Sequence, residues 1–191
     1  MAKKEGLIND ILTNRFRLKC KNHSQKQFAN LIKEKEIVIA SGPAGVGKSY
    51  VAIAKAIELI QIKSNNYDKL IVCKPAIEVE EKLGFMPGDM REKMEQYISS
   101  SLDIIDKIIG QRNRLMLEDI GVIVVQPLGF LRGKSIDNSI VVIEEAQNIS
   151  QHQMKTLLTR IGTNSKFVIS GDLDQSDRYK KIEHSGLFDA I

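Results

Sequence analysis

Five short runs of apolar, often β-branched residues recur along the chain. They cover residues 37–41, 70–73, 122–126, 140–143 and 167–170. Within each run the apolar residues are continuous instead of alternating with polar ones, which is typical of strands that are covered on both faces. The pattern therefore predicts a parallel sheet of about five strands.

Longer segments with apolar residues at helical spacing separate most of these runs. They cover residues 23–34, 49–62, 90–109 (with an extension to residue 117 left open) and 150–161. Alternating strands and helices predict an α/β fold in which helices sandwich the sheet and ligands bind at the carboxyl ends of the strands. The length of 191 residues suits one domain. We place this domain at residues 23–191, after an N-terminal extension over residues 1–22.

A phosphate-binding loop connects the first predicted strand to the next helix. Residues 42–49 spell G-P-A-G-V-G-K-S, a complete G-x-x-x-x-G-K-[ST] pattern in the strand–loop–helix context that it needs. Backbone N–H groups of such a loop point at one phosphate chain. Lys48 would neutralise the β- and γ-phosphates of ATP, and the Ser49 hydroxyl would hold Mg²⁺. The predicted nucleotide-binding residues of this segment are Gly42, Pro43, Ala44, Gly45, Val46, Gly47, Lys48, Ser49 and Tyr50.

Two adjacent acids follow the fourth predicted strand. Glu144 and Glu145 come directly after the apolar run 140–143, as in a Walker B element. Glu144 would support the hydrated Mg²⁺, and Glu145 would orient and polarise the attacking water. Because positioning and charge neutralisation dominate phosphoryl transfer, the loop and this acidic pair together predict ATP hydrolysis.

Two glutamines complete the predicted site. Gln175 belongs to a G-D-x-x-Q sequence after the fifth strand, which resembles motif III of superfamily 1 helicases, where the glutamine senses the γ-phosphate. Gln25 lies in the first helix, where a glutamine of superfamily 1 proteins hydrogen-bonds adenine. Its amide group offers both a donor and an acceptor for that purpose. Gln27 stays open as the alternative.

The bulk composition narrows the class of protein. The net charge of +4 is compatible with a nucleic-acid partner but does not require one. No apolar run approaches the ~18–20 residues of a membrane span, and the first residues lack the apolar core of a secretory signal. The two cysteines form no C-x-x-C pattern, and the three histidines show no zinc-ligand spacing. We therefore expect a cytoplasmic protein with no membrane partner.

Several longer segments resemble the PhoH family of P-loop ATPases, which is named for a phosphate-starvation-inducible protein and also occurs in phages. The most specific match is E-K-L-G-F-M-P-G-D at residues 81–89, and L-R-G-K at 131–134, E-E-A-Q-N at 144–148 and L-T-R-I-G at 158–162 also match. The resemblance implies a P-loop NTPase with a sheet like those of RecA and superfamily 1 helicases. Two positions depart from the family pattern: Glu144 replaces an Asp, and Lys74 stands where an Arg is usual.

The resemblance also implies partners. ATP hydrolysis would act on RNA or single-stranded nucleic acid, with Lys74, Lys82 and Arg91 as phosphate contacts. Superfamily 1 helicases complete their ATP site with arginines from a second RecA-like domain, for which this chain is too short. The arginine would therefore come from a neighbouring subunit of a homo-oligomer, for which the resemblance implies a hexameric ring. The family-matching candidates are Arg132 and Arg160, with Arg178 as a weaker one.

Two other functions remain open. A nucleotide-gated binding or assembly module with negligible turnover would use the same loop, and Glu144 in place of Asp favours it. A small-molecule kinase would also share the loop. The adjacent acids and the G-D-x-x-Q sequence argue against the kinase.

Overall fold

Helices and strands alternate along the chain, as the apolar pattern predicts. The computed structural model describes residues 16–75, 90–131, 135–179 and 181–191. The strands are β1 (Ile37–Ser41), β2 (Lys69–Lys74), β3 (Ile123–Pro127), β4 (Ser139–Ile143) and β5 (Lys166–Gly171). The helices are α1 (His23–Glu34), α2 (Lys48–Ile60), α3 (Met90–Ile109), α4 (Gln111–Asp119), α5 (Gln151–Leu158) and α6 (Gly186–Ala190). Every predicted strand is present, and each of its ends lies within one residue of the predicted position.

The five strands form one sheet in the order β1-β5-β4-β2-β3 within the described residues. All neighbouring pairs are parallel, and Val168 of β5, for example, lies beside Val38 on one side and Val142 on the other. The predicted fold class is therefore confirmed: an α/β P-loop NTPase fold with a parallel sheet between two layers of helices.

Both faces of the sheet are covered, which explains why the strand sequences do not alternate between apolar and polar residues. Because successive side chains of a strand point to opposite faces, each strand contributes to two separate clusters. Val72 and Val142 belong to the cluster under α1–α4. Ile71 and Val141, one residue earlier, belong to the cluster under α5 and α6.

Helix ends differ more from the predictions than strand ends do. The helical pattern after residue 109 continues as a separate helix, because Gly110 adopts a φ of 82° that breaks α3 from α4. Helix α5 ends at Leu158, three residues before the predicted end, in a turn at Thr159. Its start is fixed by a capping box between Ser150 and Gln153.

The described chain contributes to the core before residue 23. Phe16, Leu18 and Cys20 pack against the cluster under α1–α4. The backbone N–H of Leu18 also donates a hydrogen bond to Glu58 Oε2 at 2.9 Å. Part of the segment that we assign to an N-terminal extension is thus packed on the domain.

The strand order places two different regions at opposite edges of the sheet. Strands β1, β5 and β4 are neighbours, so the segments that follow their carboxyl ends meet at one edge. Strand β3 is outermost on the other side, and the short helical turn Leu128–Leu131 follows it. No helix in the described ranges is long and apolar enough to cross a membrane.

Candidate nucleotide site

The phosphate-binding loop joins β1 to α2 in a conformation that depends on glycine. Gly45 and Gly47 have φ values of 77° and 90°, in the left-handed region that other residues rarely adopt. Gly47 is also the N-cap of α2, and no side chain caps that helix. The first N–H groups of α2 therefore keep their hydrogen-bonding capacity for an anion, and the helix dipole favours negative charge there.

Lys48 lies folded over the loop. Its Nζ donates hydrogen bonds to the carbonyl oxygens of Gly42 at 2.6 Å and Pro43 at 2.8 Å. These partners are neutral, so the positive charge of Lys48 is held at the loop without being cancelled by them. A phosphate chain that enters the loop would meet this charge together with the N–H groups of α2.

A cavity of about 300 Å³ lies beside the loop, and the segments that follow three strands line it. We call it the phosphate cavity. Its lining from the loop and α2 includes Lys48 and Ser49, β4 contributes Glu145, and the segment after β5 contributes Asp172 and Gln175. The loop, the second acid and the G-D-x-x-Q glutamine thus lie together, as expected from the rule on carboxyl ends of parallel strands. Asp172, to which the sequence pattern alone assigns no role, lines the cavity as well.

Glu145 adopts a strained backbone conformation. Its φ of 54° and ψ of 37° lie in the left-handed region. For a residue other than glycine such a conformation costs about 1–3 kcal/mol and is concentrated at functional sites. The strain therefore indicates that Glu145 is a functional residue, independently of the Walker B pattern.

Gln147 connects the acid to the segment after β5. It is 1% exposed. Its Nε2 donates to Glu145 Oε2 at 2.7 Å and to the carbonyl oxygen of Gln175 at 3.3 Å. Its Oε1 accepts from the backbone N–H of Asp172 at 3.1 Å. Sequence reasoning missed this function, and the available signal was a polar residue two positions after the acidic pair.

Glu144 occupies a different environment from Glu145. It is 2% exposed, and its Oε2 accepts a short hydrogen bond from the Ser101 hydroxyl. The Nζ of Lys74 lies 3.9 Å from the same oxygen and donates to the Ser100 hydroxyl at 2.5 Å. Glu144 does not line the phosphate cavity, so its role toward Mg²⁺ stays a prediction. Lys74 is 8% exposed, which argues against the predicted contact with nucleic acid.

The donor set suits magnesium better than a tightly chelated metal. The part of the chain that the structure describes has no group of three His, Cys, Asp or Glu side chains that could hold a metal ion. Mg²⁺ usually binds through one or two carboxylates together with substrate phosphates and water. The Ser49 hydroxyl and the nearby carboxylates fit such an ion, provided that a nucleotide supplies further oxygens.

Gln25 contacts the loop from α1. Its Nε2 donates to the Val46 carbonyl oxygen at 2.9 Å, and its Oε1 accepts from the Lys21 N–H at 2.8 Å. A Cβ on Gly47 would lie 2.9 Å from the same Nε2, so only glycine fits there without a shift. A cleft of about 370 Å³ between α1 and the loop is lined by both Gln25 and Gln27. The Nε2 group of Gln25 keeps one further N–H and its Oε1 keeps one further lone pair for a base.

Arg160 lies outside the phosphate cavity. It lines a cleft of about 290 Å³ that we call the Arg160 cleft, between α5 and the turn after β3. The lining is Leu128, Gly129, Leu131, His152, Gln153, Thr156, Leu157 and Arg160. The Nε of Arg160 is buried and has no hydrogen-bond partner among the described residues.

Arg178 differs from Arg160 in its surroundings. Arg178 Nη1 donates to Gln153 Oε1 at 3.3 Å, and its guanidinium lies 5.4 Å from the centre of the Tyr179 ring. Arg132 and Lys82 lie outside the described residues, as does the side chain of Arg91.

Two strand residues outside the phosphate cavity, Cys73 and Lys166, have shifted pKa values. Burial raises the pKa of the Cys73 thiol, which is fully enclosed and therefore does not supply a thiolate nucleophile. Burial lowers the pKa of Lys166 at the amino end of β5, and the negative charge of Glu36 opposes this shift. The Nζ of Lys166 donates to the Lys35 carbonyl oxygen at 2.5 Å, so it serves the fold there.

Comparisons with known proteins give one consistent family. The family model described as "PhoH: PhoH-like protein" matches residues 17–191. A PhoH-like protein of Bacillus subtilis is 37% identical over 170 residues, which are 89% of this chain and 52% of that protein. Protein PhoH of Escherichia coli K12 is 34% identical over 173 residues, which are 90% of this chain and 48% of that protein.

The chain spans about half the length of these curated relatives. Among solved structures, a similar one is the Sulfolobus solfataricus SWI2/SNF2 ATPase core in complex with dsDNA. Its TM-score is 0.48 at 16% identity, over 82% of this chain and 33% of that chain.

Proposed function

The chain belongs to the PhoH family, and from this premise we propose that it binds ATP at the loop 42–49 and hydrolyses it in the phosphate cavity. The proposal rests on the residues that line that cavity. The cavity brings the cation of Lys48, the carboxylate of Glu145 and the amide of Gln175 to one place from three separate strand ends. The family and the P-loop fold support a nucleotide-binding ATPase at the coarser level.

The chemistry follows from these positions. Lys48 and the free N–H groups of α2 neutralise the phosphate chain, and Glu145 orients a water molecule and accepts its proton. The water oxygen then forms a bond to the γ-phosphorus while the bond to the β–γ bridging oxygen breaks. A Mg²⁺ ion bound with the nucleotide would neutralise further charge on the phosphates, with Ser49 and Glu144 as the residues predicted to hold it.

Gln147 supports a link between the nucleotide and the segment after β5. The Gln147 side chain forms hydrogen bonds with the Glu145 carboxylate and with the backbone of both Asp172 and Gln175. A change at the γ-phosphate that moves Gln175 would therefore reach Glu145 through a single residue. This arrangement supports the sensor role that we propose for Gln175.

Gln25 supports recognition of the base. The 370 Å³ cleft beside it has Phe28 and Leu31 as apolar walls, which suit a planar ring. The free hydrogen-bonding positions of its amide match an adenine edge. Gln27 also lines the cleft and remains the alternative.

We further propose that the chain acts as a homo-oligomer in which Arg160 reaches a neighbour's phosphate cavity. Two observations support this: the Arg160 cleft adjoins the turn after the outer strand β3, whereas the loop follows β1 at the other end of the strand order, and the partly exposed Arg160 side chain has no hydrogen bond or ion pair among the described residues. Contacts between opposite edges are head-to-tail, and they close into a ring when the rotation permits. Arg132 remains the second candidate, and a hexamer is what the family resemblance implies.

The proposal also includes a nucleic-acid partner. The net charge of +4 permits RNA or single-stranded nucleic acid, and the family resemblance suggests it. The alternative of a nucleotide-gated module with negligible turnover is favoured by Glu144, which stands where the family pattern has an Asp.

The test combines binding and turnover. We expect the wild type to release phosphate from ATP without any small-molecule acceptor, which a kinase would not do. Lys48→Ala should lose ATP binding in calorimetry, because the phosphates lose their cation, whereas the exposed Lys26→Ala serves as the matched control. Unchanged ATP affinity in Lys48→Ala would contradict the loop assignment. Phosphate release with and without RNA and DNA oligonucleotides then tests the nucleic-acid partner.

A further inference from the structure

Ser101 is a buried polar residue that lies in no sequence motif of the predicted site. It is fully buried on α3, and its described side-chain hydrogen bond is the one that its hydroxyl donates to Glu144 Oε2. The two residues are 43 positions apart in sequence. A buried serine with one carboxylate partner on another element fixes the direction of that carboxylate, since hydrogen bonds are strongly angle-dependent.

Lys74 supplies charge at the same oxygen. Its Nζ lies 3.9 Å from Glu144 Oε2, and both side chains are nearly enclosed. An ionised carboxylate in such a place is costly unless a cation and hydrogen bonds compensate it. Lys74 therefore compensates the charge, while Ser101 sets the orientation.

The two carboxylate oxygens of Glu144 have different surroundings. Both described contacts are made to Oε2. Oε1 accepts no hydrogen bond from a described residue. It is also not fully enclosed, so part of its surface stays accessible. Oε1 is thus the oxygen that stays available to a ligand.

The contact also lies next to the phosphate cavity. Ile104, three residues after Ser101, lies on the same side of α3 and lines that cavity. Glu144 directly precedes Glu145, which lines it as well. The Ser101–Glu144 contact is therefore adjacent to the place where a metal ion would accompany the nucleotide phosphates.

We propose that Ser101 is a positioning residue that anchors Oε2 of Glu144 and thereby presents Oε1 to the Mg²⁺ ion of the bound nucleotide, or to a water of that ion. The inference rests on the proposed function, because it assigns Glu144 to the metal. Partners that orient a metal-binding carboxylate typically change metal affinity by about 10–100-fold when they are removed.

The experiment measures Mg²⁺ dependence without relying on turnover. Binding of a fluorescent ADP analogue to the full chain is titrated with Mg²⁺, and its affinity in EDTA is measured separately. For Ser101→Ala we expect the Mg²⁺ midpoint to rise by about 10-fold or more, with the affinity in EDTA unchanged. Lys107→Ala, an exposed change on the same helix, should behave as the wild type.

A double-mutant cycle separates positioning from a general structural effect. Glu144→Gln should raise the Mg²⁺ midpoint by itself, and adding Ser101→Ala to it should change the midpoint no further, because Ser101 acts through Glu144. Additive effects, or a wild-type midpoint in Ser101→Ala, would overturn the proposal while leaving the ATPase assignment intact. Absence of nucleotide binding by the wild type would overturn both.

Discussion

The phosphate cavity lies where β1, β5 and β4 end, and the Arg160 cleft lies between α5 and the turn after β3. The two regions differ in how far the chain satisfies its own polar groups. In the phosphate cavity, Lys48 contacts two carbonyl oxygens and Glu145 contacts Gln147. In the Arg160 cleft, Arg160 Nε is buried without a hydrogen bond among the described residues. The polar groups of the first region are held by contacts within the chain, whereas the second contains a donor that no described residue satisfies.

We expect the largest loss of activity from a change in the Arg160 cleft. Arg160→Ala should lower phosphate release by about 10³-fold, the lower end of what an arginine finger contributes, with ATP affinity unchanged. The reason is that, in the proposed homo-oligomer, the arginine meets the phosphates of a neighbouring subunit across an interface. Phosphate release at saturating ATP and calorimetry check the two halves of this expectation. Arg178→Ala, whose guanidinium already has a described partner, is the matched control.

Mixing subunits tests where Arg160 acts. Lys48→Ala and Arg160→Ala subunits are each expected to be inactive, and a mixture should regain part of the activity, because one kind of subunit retains the loop and the other retains the arginine. If the mixture stays inactive, or if light scattering finds a strict monomer with full activity, Arg160 belongs to its own chain and the comparison between the two regions fails.

We expect a smaller loss of activity when a contact that holds the phosphate cavity in place is removed. Gln147→Ala removes the donor that holds the Glu145 carboxylate, and displacement of a reacting group by about 1 Å can reduce the rate about 10²-fold. We expect phosphate release to fall by about 10–10²-fold with little change in ATP affinity. A steady-state assay beside calorimetry measures both, and a rise in ATP dissociation constant without a loss of turnover would assign Gln147 to binding instead.

The smallest effect concerns the strain at Glu145. Glu145→Gly should abolish turnover and yet leave the melting temperature unchanged or slightly raised, because glycine accepts the φ of 54° without the cost of about 1 kcal/mol or more for a residue with a Cβ. Thermal unfolding without nucleotide measures this. Glu183→Gly, at an exposed position outside the strained region, is the comparison that should lower the melting temperature. A clear loss of stability in Glu145→Gly would mean that its contacts outweigh the strain.

The strands and the position of the site follow from the sequence because they depend on local patterns. Runs such as 140–143 are apolar throughout, so their length and parallel pairing can be inferred without knowing their neighbours. The loop at 42–49 has a defined spacing, and strand order then brings Glu145 and Gln175 to it. Helix ends were less certain, since the break at Gly110 depends on one backbone angle.

The partnerships inside the site could not be inferred from the sequence. Ser101 and Glu144 are 43 residues apart, and their contact depends on which side of α3 faces β4. Gln147 looks like any polar residue after a strand until its burial is known. Lys74 illustrates the same limit, because a lysine at a strand end was expected to reach nucleic acid and is instead enclosed beside Glu144.

The most direct test of the ATPase account is phosphate release measured beside ATP affinity for the wild type and Glu145→Gln in the same magnesium-containing buffer. The account predicts that the wild type releases phosphate continuously, whereas the variant binds ATP with the same affinity and releases phosphate about 10²-fold or more slowly, because an amide cannot accept the proton of the attacking water. Phosphate release by Glu145→Gln at the wild-type rate would contradict the assignment of Glu145 and with it the role of the phosphate cavity.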